Sequence, residues 1–302
     1  METKKALLII DIQNDYFEGG ANPLIGSLEA SINAKKLLDD FREKSLPVIH
    51  LQHFSTRAGS TFFIPNTKGV EIHENVVPIS GEKVIAKYYP NSFRETDLLD
   101  YLKSNNITDL VICGMMTQMC VDATTRAAKD FGFICTVIGD ACATKDLEIQ
   151  GMNVAASEVQ KSFLAALNYF YSTVKNTQEY LTGFKVLQVL NRIYVKDIDT
   201  AINFYENLLG VKCSLRFGYK EIGLELARVD DILIIAGSEE ALEPIRNTNA
   251  TFGVNSIENA KKFLLKNRGT MIRDIQQVPT GKNMTVKNSD GTVIEYVEFK
   301  KE

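Results

Sequence analysis

Residues 108–140 read TDLVICGMMTQMCVDATTRAAKDFGFICTVIGD. An apolar run at Leu110 to Cys113 gives way to a helix-spaced segment, CVDATTRAAKDFG, and then to a second apolar run, Phe133 to Ile138. Parallel strands buried on both faces must be apolar nearly throughout, and two of them in succession need a crossover helix between them. Outward from this unit the rhythm continues. KKALLIID, ASINAKKLLDDFREKS, PVIHLQH, EKVIAKYY and ETDLLDYLKSNN precede it from Lys4, and VAASEVQKSFLAALNYFY follows to about Tyr171. This alternation predicts an α/β fold, a Rossmann-like parallel sheet with helices on both faces. Sheets of this kind place their sites outside the C-terminal ends of the strands.

The length of 302 residues predicts two domains. Hydrophobic residues at 45% and charged residues at 24% are ordinary for a globular chain, and the formal net charge of −4 gives no footprint of nucleic-acid or membrane-surface binding. No run reaches the ~18 apolar residues of a membrane span, and METKKALLIID passes into patterned sequence without a signal-peptide cleavage site. The five cysteines, Cys113, Cys120, Cys135, Cys142 and Cys213, are odd in number and contain no CxxC pair. Free thiols in a reducing, cytoplasmic compartment are expected.

The rhythm is lost in STVKNTQEYLTGFK, residues 172–185, which reads as a linker, or as a final helix ending in a turn at Gly183. Domains over residues 1–182 and 186–302 follow. The second half contains a duplication: Val195, Ile198, Ala201, Phe204 and Gly210 recur 59 positions later as Val254, Ile257, Ala260, Phe263 and Gly269, and Asp231 and Asp290 keep the same spacing. Two units of one helix and several strands are expected to pair about a pseudo-twofold axis.

Three strand ends of the first domain carry chemistry: Asp11 in LLIIDIQNDYF, Lys87 in EKVIAKYYPNSF, and Cys120 at the start of a helix. A carboxylate, an amine and a thiol at one rim of one sheet form a base, an electrostatic partner and a nucleophile. Taken singly, Asp11 reads equally as a turn residue, Lys87 as a solvated charge and Cys120 as a small buried hydrophobe. The helix start and a nearby ammonium are expected to lower the thiol pKa from about 8.5.

With DIQNDYFEGG, AKYYPNSF and CGMMTQMCVDATTRAA in view, residues 4 to about 171 resemble the isochorismatase-like cysteine hydrolases, a superfamily that also holds nicotinamidases and N-carbamoylsarcosine amidases. The resemblance implies a catalytic Asp11, Lys87 and Cys120. It also implies a cis peptide between Met115 and Met116 and an oxyanion hole from the backbone N–H groups of Met116 and Cys120. In the implied acyl transfer Asp11 takes the thiol proton, Cys120 attacks a carbonyl, Lys87 and the oxyanion-hole amides stabilise the charge, and water releases the acyl group. Zinc-dependent nicotinamidases carry Asp-x-His at the second strand end, where this chain has Leu51, Gln52 and His53, so neither metal nor cofactor is expected. Phe17, His53, Tyr88, Phe93 and Met119 are assigned to the substrate pocket, beside Phe62, Phe63, Tyr89 and Met116. Core packing is the competing reading for the aromatics, and a satisfied structural role for His53. Of the other histidines, His50 reads as a strand residue and His73 as a surface residue.

VKDIDTAINFYENLLG and NSDGTVIEYVEF make residues 188–299 resemble the vicinal oxygen chelate superfamily of glyoxalase I, extradiol dioxygenases and resistance proteins. The positions at which its enzymes hold a divalent metal correspond here to Leu190, Ala236, Asn249 and Glu295. With one good ligand among the four, a bound organic molecule or an assembly role is expected, and Tyr194, Phe217 and Tyr219 are candidate cup residues. The chain thus reads as a metal-independent hydrolase of a small amide, lactam or ureido bond, with a small-molecule substrate, no nucleic-acid or membrane partner, and a homo-oligomeric state by family habit. The alternatives are an isochorismatase-type vinyl ether hydrolase, which needs no thiol, and a non-catalytic small-molecule binding or resistance protein.

Overall fold

The structure, a computed structural model, describes residues 4–300; residues 1–3 and 301–302 of the two expected domains lie outside the described residues. It divides between Leu181 and Thr182 into two units. In the first, strands β1 (Lys5–Ile10), β2 (Val48–His53), β3 (Lys83–Lys87), β4 (Asp109–Met115) and β5 (Ile134–Ala143) form a parallel sheet. A short hairpin of β6 (Leu147–Ile149) and β7 (Met152–Val154) follows, and β8 (Thr173–Lys175) adds a sixth strand, giving the order β3-β2-β1-β4-β5-β8. β8 lies in the stretch read as a linker or helix; three residues are too few for a periodic signal. Helices α1 (Ser27–Glu43), α2 (Leu98–Ser104), α3 (Asp122–Asp130), α4 (Ala156–Ala166) and α5 (Thr177–Thr182) complete the unit.

β1 is apolar on both faces because it is covered on both. Leu7 and Ile9 pack with Leu37, Leu38 and Phe41 of α1, while Ala6, Leu8 and Ile10 pack with Leu98 and Leu102 of α2. From β1 the strand order runs one way to β2 and β3 and then reverses to β4, so the topological switch point lies between β1 and β4.

In the second unit β9 (Val186–Val195), α6 (Ile198–Leu209), β10 (Leu215–Tyr219), β11 (Leu224–Val229) and β12 (Ile232–Gly237) make one βαβββ half. A short helix α7 (Glu239–Leu242) leads to the other half, β13 (Ala250–Val254), α8 (Ile257–Lys266), β14 (Thr270–Val278), β15 (Gly281–Lys287) and β16 (Val293–Phe299). The eight strands form one curled sheet, with β9 and β13 antiparallel at its centre. The duplication includes the caps, since Asp197 receives the first N–H groups of α6 and Ser256, 59 residues on, one of α8.

The spacing of 59 does not extend through the last hairpin of each half. Two residues, Asp230 and Asp231, join β11 to β12, whereas five, residues 288–292, join β15 to β16. Leu233 pairs with Arg192 and Glu295 with Thr251, so across these final strands the offset becomes 62. The counterpart of Glu295 is therefore Leu233. Ala236 faces the other way, packing with Ala227, Val229 and Ile234 against α6. An odd change in turn length reverses which residues of the following strand face a given side.

In the first unit a charged network ties α1 to the sheet. Arg42 donates to both carboxylate oxygens of Glu82 (2.7 and 2.9 Å), which also meets the buried His50 Nε2 at 2.9 Å. Burial alone would raise the Glu82 pKa, but the bonds from Arg42, the Ile79 N–H and His50 bring it down to about 2. A carboxyl whose pKa falls on folding stabilises the fold above its unfolded value and loses that contribution as pH drops through the folded one. Glu82→Gln is expected to lower the melting temperature at pH 7. The difference from wild type should shrink between about pH 4.5 and about pH 2, as thermal melts across that range would show.

Candidate active site

The chain leaves β1 at Asp11, whose φ of 50° lies in the left-handed region. Its N–H donates to the Leu51 carbonyl at 3.0 Å, which fixes it beside the end of β2. Lys87 closes β3 and pairs in register with His53, the last residue of β2. Cys120 lies in a π-helical turn, Thr117–Val121, that runs directly into α3. Gly114 lets these parts meet, for a Cβ there would lie 2.0 Å from the Ile10 carbonyl oxygen. The peptide joining Met115 to Met116 is cis.

The three side chains come together at the switch point. Lys87 Nζ lies 2.7 Å from Asp11 Oδ2 and 3.1 Å from His53 Nδ1, and donates to the Tyr89 carbonyl at 3.2 Å. Donor atoms of Asp11, His53 and Cys120 all fall within 4.8 Å of one another. Asp11 and Lys87 are fully buried. Because an ammonium only donates, His53 Nδ1 is the acceptor and the imidazole proton resides on Nε2. Burial lowers the His53 pKa; Asp11 opposes this and Lys87 reinforces it, so the ring is neutral.

Burial pushes the Cys120 thiol well above its ordinary pKa, and the Asp11 charge adds to the effect while Lys87 opposes it. This reverses the lowering expected from the helix start and the ammonium, because little water remains to solvate a thiolate. The resting side chain is a neutral thiol beside a carboxylate. For Lys87 burial acts downward, but the Asp11 charge outweighs it and holds the ammonium above its usual value.

Cys120 and His53 reach a cavity of about 630 Å³, with Asp11 and Lys87 buried behind them. Tyr88 and Met119 are on its wall, together with Phe62, Phe63, Tyr89 and Met116. Phe17 and Phe93 are not. Phe17 points into the core, stacked on His73 with ring centroids 3.6 Å apart, and Phe93 packs between Phe131 and Phe133. His73 is accordingly half-buried instead of a surface residue. Tyr16, Arg57 and Ser60 also line the cavity and escaped the sequence reading. Tyr16 follows Asp11 by five positions within DIQNDYF, a usable signal; the wall residues from Ser55 to Thr61 lie in an irregular loop that carries none.

A zinc ion does not fit this donor set. Leu51, at the position of the missing aspartate, is buried among Ile10, Ile49 and Ile85. Asp11, His53 and Cys120 are close enough to share an ion, but the Lys87 ammonium already sits against two of them and would repel a divalent cation.

The family model for the Isochorismatase domain matches residues 5–168. The chain belongs to the isochorismatase family. Among isochorismatase relatives, an uncharacterized isochorismatase family protein of Bacillus subtilis is 50% identical over 176 residues, covering 58% of this chain and 98% of that protein. The nicotinamidase of Escherichia coli is 25% identical over 215 residues, covering 58% of this chain and 98% of its own. A crystal structure of an isochorismatase from Pseudomonas putida matches with a TM-score of 0.55 and 34% identity over 58% of this chain and 89% of that one. Residues 185–296 match the model of the Glyoxalase/Bleomycin resistance protein/Dioxygenase superfamily, so this isochorismatase-family hydrolase carries a glyoxalase-like second unit. Among the described residues no helix is long and apolar enough to cross a membrane.

Two measurements check this electrostatic picture. Alkylation of Cys120 by iodoacetamide should keep rising with pH beyond about 8.5, where an unperturbed thiol levels off. Asp11→Asn, by removing a negative charge, should lower the thiol pKa and speed alkylation at neutral pH. Separately, the purified protein should carry no stoichiometric zinc by elemental analysis.

Proposed function

We propose that the first unit hydrolyses a small amide, lactam or ureido carbon-nitrogen bond through Cys120, Asp11 and Lys87. The observation that carries this reading is the meeting of a neutral thiol, a buried carboxylate and a buried ammonium behind a cavity of about 630 Å³. The nicotinamidase among the relatives supports the amide class.

In this reading Asp11 takes the thiol proton as the sulfur attacks the substrate carbonyl carbon. Lys87 lies against both groups, so its charge stabilises the thiolate as it forms. The three short contacts of Lys87, to Asp11, His53 and Tyr89, make it a positioning charge. The oxyanion falls to the backbone N–H groups of Met116 and Cys120, and Asp11 returns its proton to the leaving nitrogen as the carbon-nitrogen bond breaks. Water, deprotonated by Asp11, then attacks the thioester; the acid is released and the thiol restored. The His53 Nε2–H is a donor for a substrate polar group, and Phe62, Phe63 and Tyr88 take its apolar part. Vinyl ether hydrolysis would leave Cys120 without a role.

The test is release of acid and amine from a panel of small amides, lactams and ureido compounds. Cys120→Ala should lose at least about a thousandfold in kcat while its melting temperature stays within a few degrees. Asp11→Asn, in protein that thermal melting shows to be folded at the assay temperature, should fall comparably in turnover even as its thiol alkylates faster, a combination that a purely structural Asp11 would not give in the folded state. Intact mass during turnover should show an acyl adduct on wild type and none on Cys120→Ala. Unchanged turnover in Cys120→Ala would refute the mechanism.

A further inference from the structure

The concave face of the second unit gathers charge where its resemblance implied metal ligands. Arg192 of β9, Arg273 of β14, Asn283 of β15 and Glu295 of β16 converge there. The Arg192 side chain is only 4% exposed, yet its Nε has no hydrogen-bond partner and its ion-pair contact to Glu295 is long, at 3.9 Å. Glu295 is already engaged by Arg273 at 3.1 Å, Asn283 at 2.8 Å and Thr251 at 3.0 Å. Arg273 Nε and Asn283 Oδ1 are likewise buried without partners. Two guanidinium groups against one carboxylate leave a net positive charge in a largely desolvated site. A buried guanidinium with an N–H left unpaired is unfavourable until an acceptor arrives. A divalent metal does not fit, since one carboxylate flanked by two arginines repels a cation more than it ligates one.

The adjoining space is shaped for an organic body. A small cavity of about 130 Å³ lies against the arginines. It shares Phe217, Leu226 and Glu295 with a neighbouring cavity of about 650 Å³ on the same face.

We propose that this face binds a small organic carboxylate. The anion sits between Arg192 and Arg273, its apolar part lies against Phe217, Leu226 and Ile235, and an O–H or N–H of the ligand donates to Asn283 Oδ1. A carboxylate matches the planar fork of arginine and neutralises the single excess charge. A phosphate dianion would leave a negative charge beside Glu295. The proposal does not depend on the reaction assigned to the first unit.

The experiment is calorimetric titration of the full chain with 4-hydroxybenzoate, mandelate and 6-hydroxyhexanoate, each against its primary amide, and with inorganic phosphate. At least one carboxylate should bind about tenfold more tightly than its amide and than phosphate, and more weakly as salt rises. Arg192→Met should weaken that binding at least about tenfold and Arg192→Lys restore part of it. Thermal melting checks that each variant is folded. Arg273→Gln, at a side chain 36% exposed, offers a second variant should Arg192→Met not fold, and should also weaken binding. Three results would overturn the proposal: no carboxylate binding below about 10 mM, equal binding of amide or phosphate, or carboxylate affinity unchanged in folded arginine variants. The last would assign the bound carboxylate to the first unit.

Discussion

The ion pair between Asp11 and Lys87 is the constraint on which the first unit depends. Neither side chain has exposed surface, and a charge so buried is tolerated only when paired. Removing either partner of such a pair typically destabilises a protein by about 3–5 kcal/mol, because the other is left charged and dry. The pair joins the end of β1 to the end of β3 across β2, and His53, between them in the sheet order, takes a further donor of the same ammonium. The geometry that holds the strand ends together is thus the geometry that puts a carboxylate and a thiol in contact.

The sheet order makes that contact possible. Because the strand order reverses between the parallel β1 and β4, no crossover covers the gap above their ends, and the π-helical turn carrying Cys120 has room to fold over Asp11. Gly114 keeps the two strands close enough for this.

The apolar runs of β1, β4 and β5 were readable because strands buried on both faces admit almost nothing else. Asp11, Lys87 and Cys120 are legible as reactive residue types at or just past the C-terminal ends of β1, β3 and β4. What escaped depends on distance through space. Burial, which decides the charge state of Cys120, is a property of the folded surroundings, and the inward turn of Phe17 and Phe93 is set by neighbours remote in sequence. The cavity wall from Ser55 to Thr61 has no periodicity to read. In the second unit the helices carry the duplication at a spacing of 59, but a turn longer by three residues shifts the last strand, so that Glu295 corresponds to Leu233 and not to Ala236.

The two halves of that unit have also ceased to be equivalent in content. A duplicated sheet begins with a twofold axis and therefore with two identical places for a guest. Here the first half contributes Leu190, Leu224, Leu233 and Ile235 to the concave face, and the second Thr251, Arg273, Asn283 and Glu295, with Arg192 reaching across from the first. The broken symmetry turns two degenerate places into one, with an oily end and a charged end. Under the carboxylate proposal, such a surface would take one guest per chain, in a single orientation.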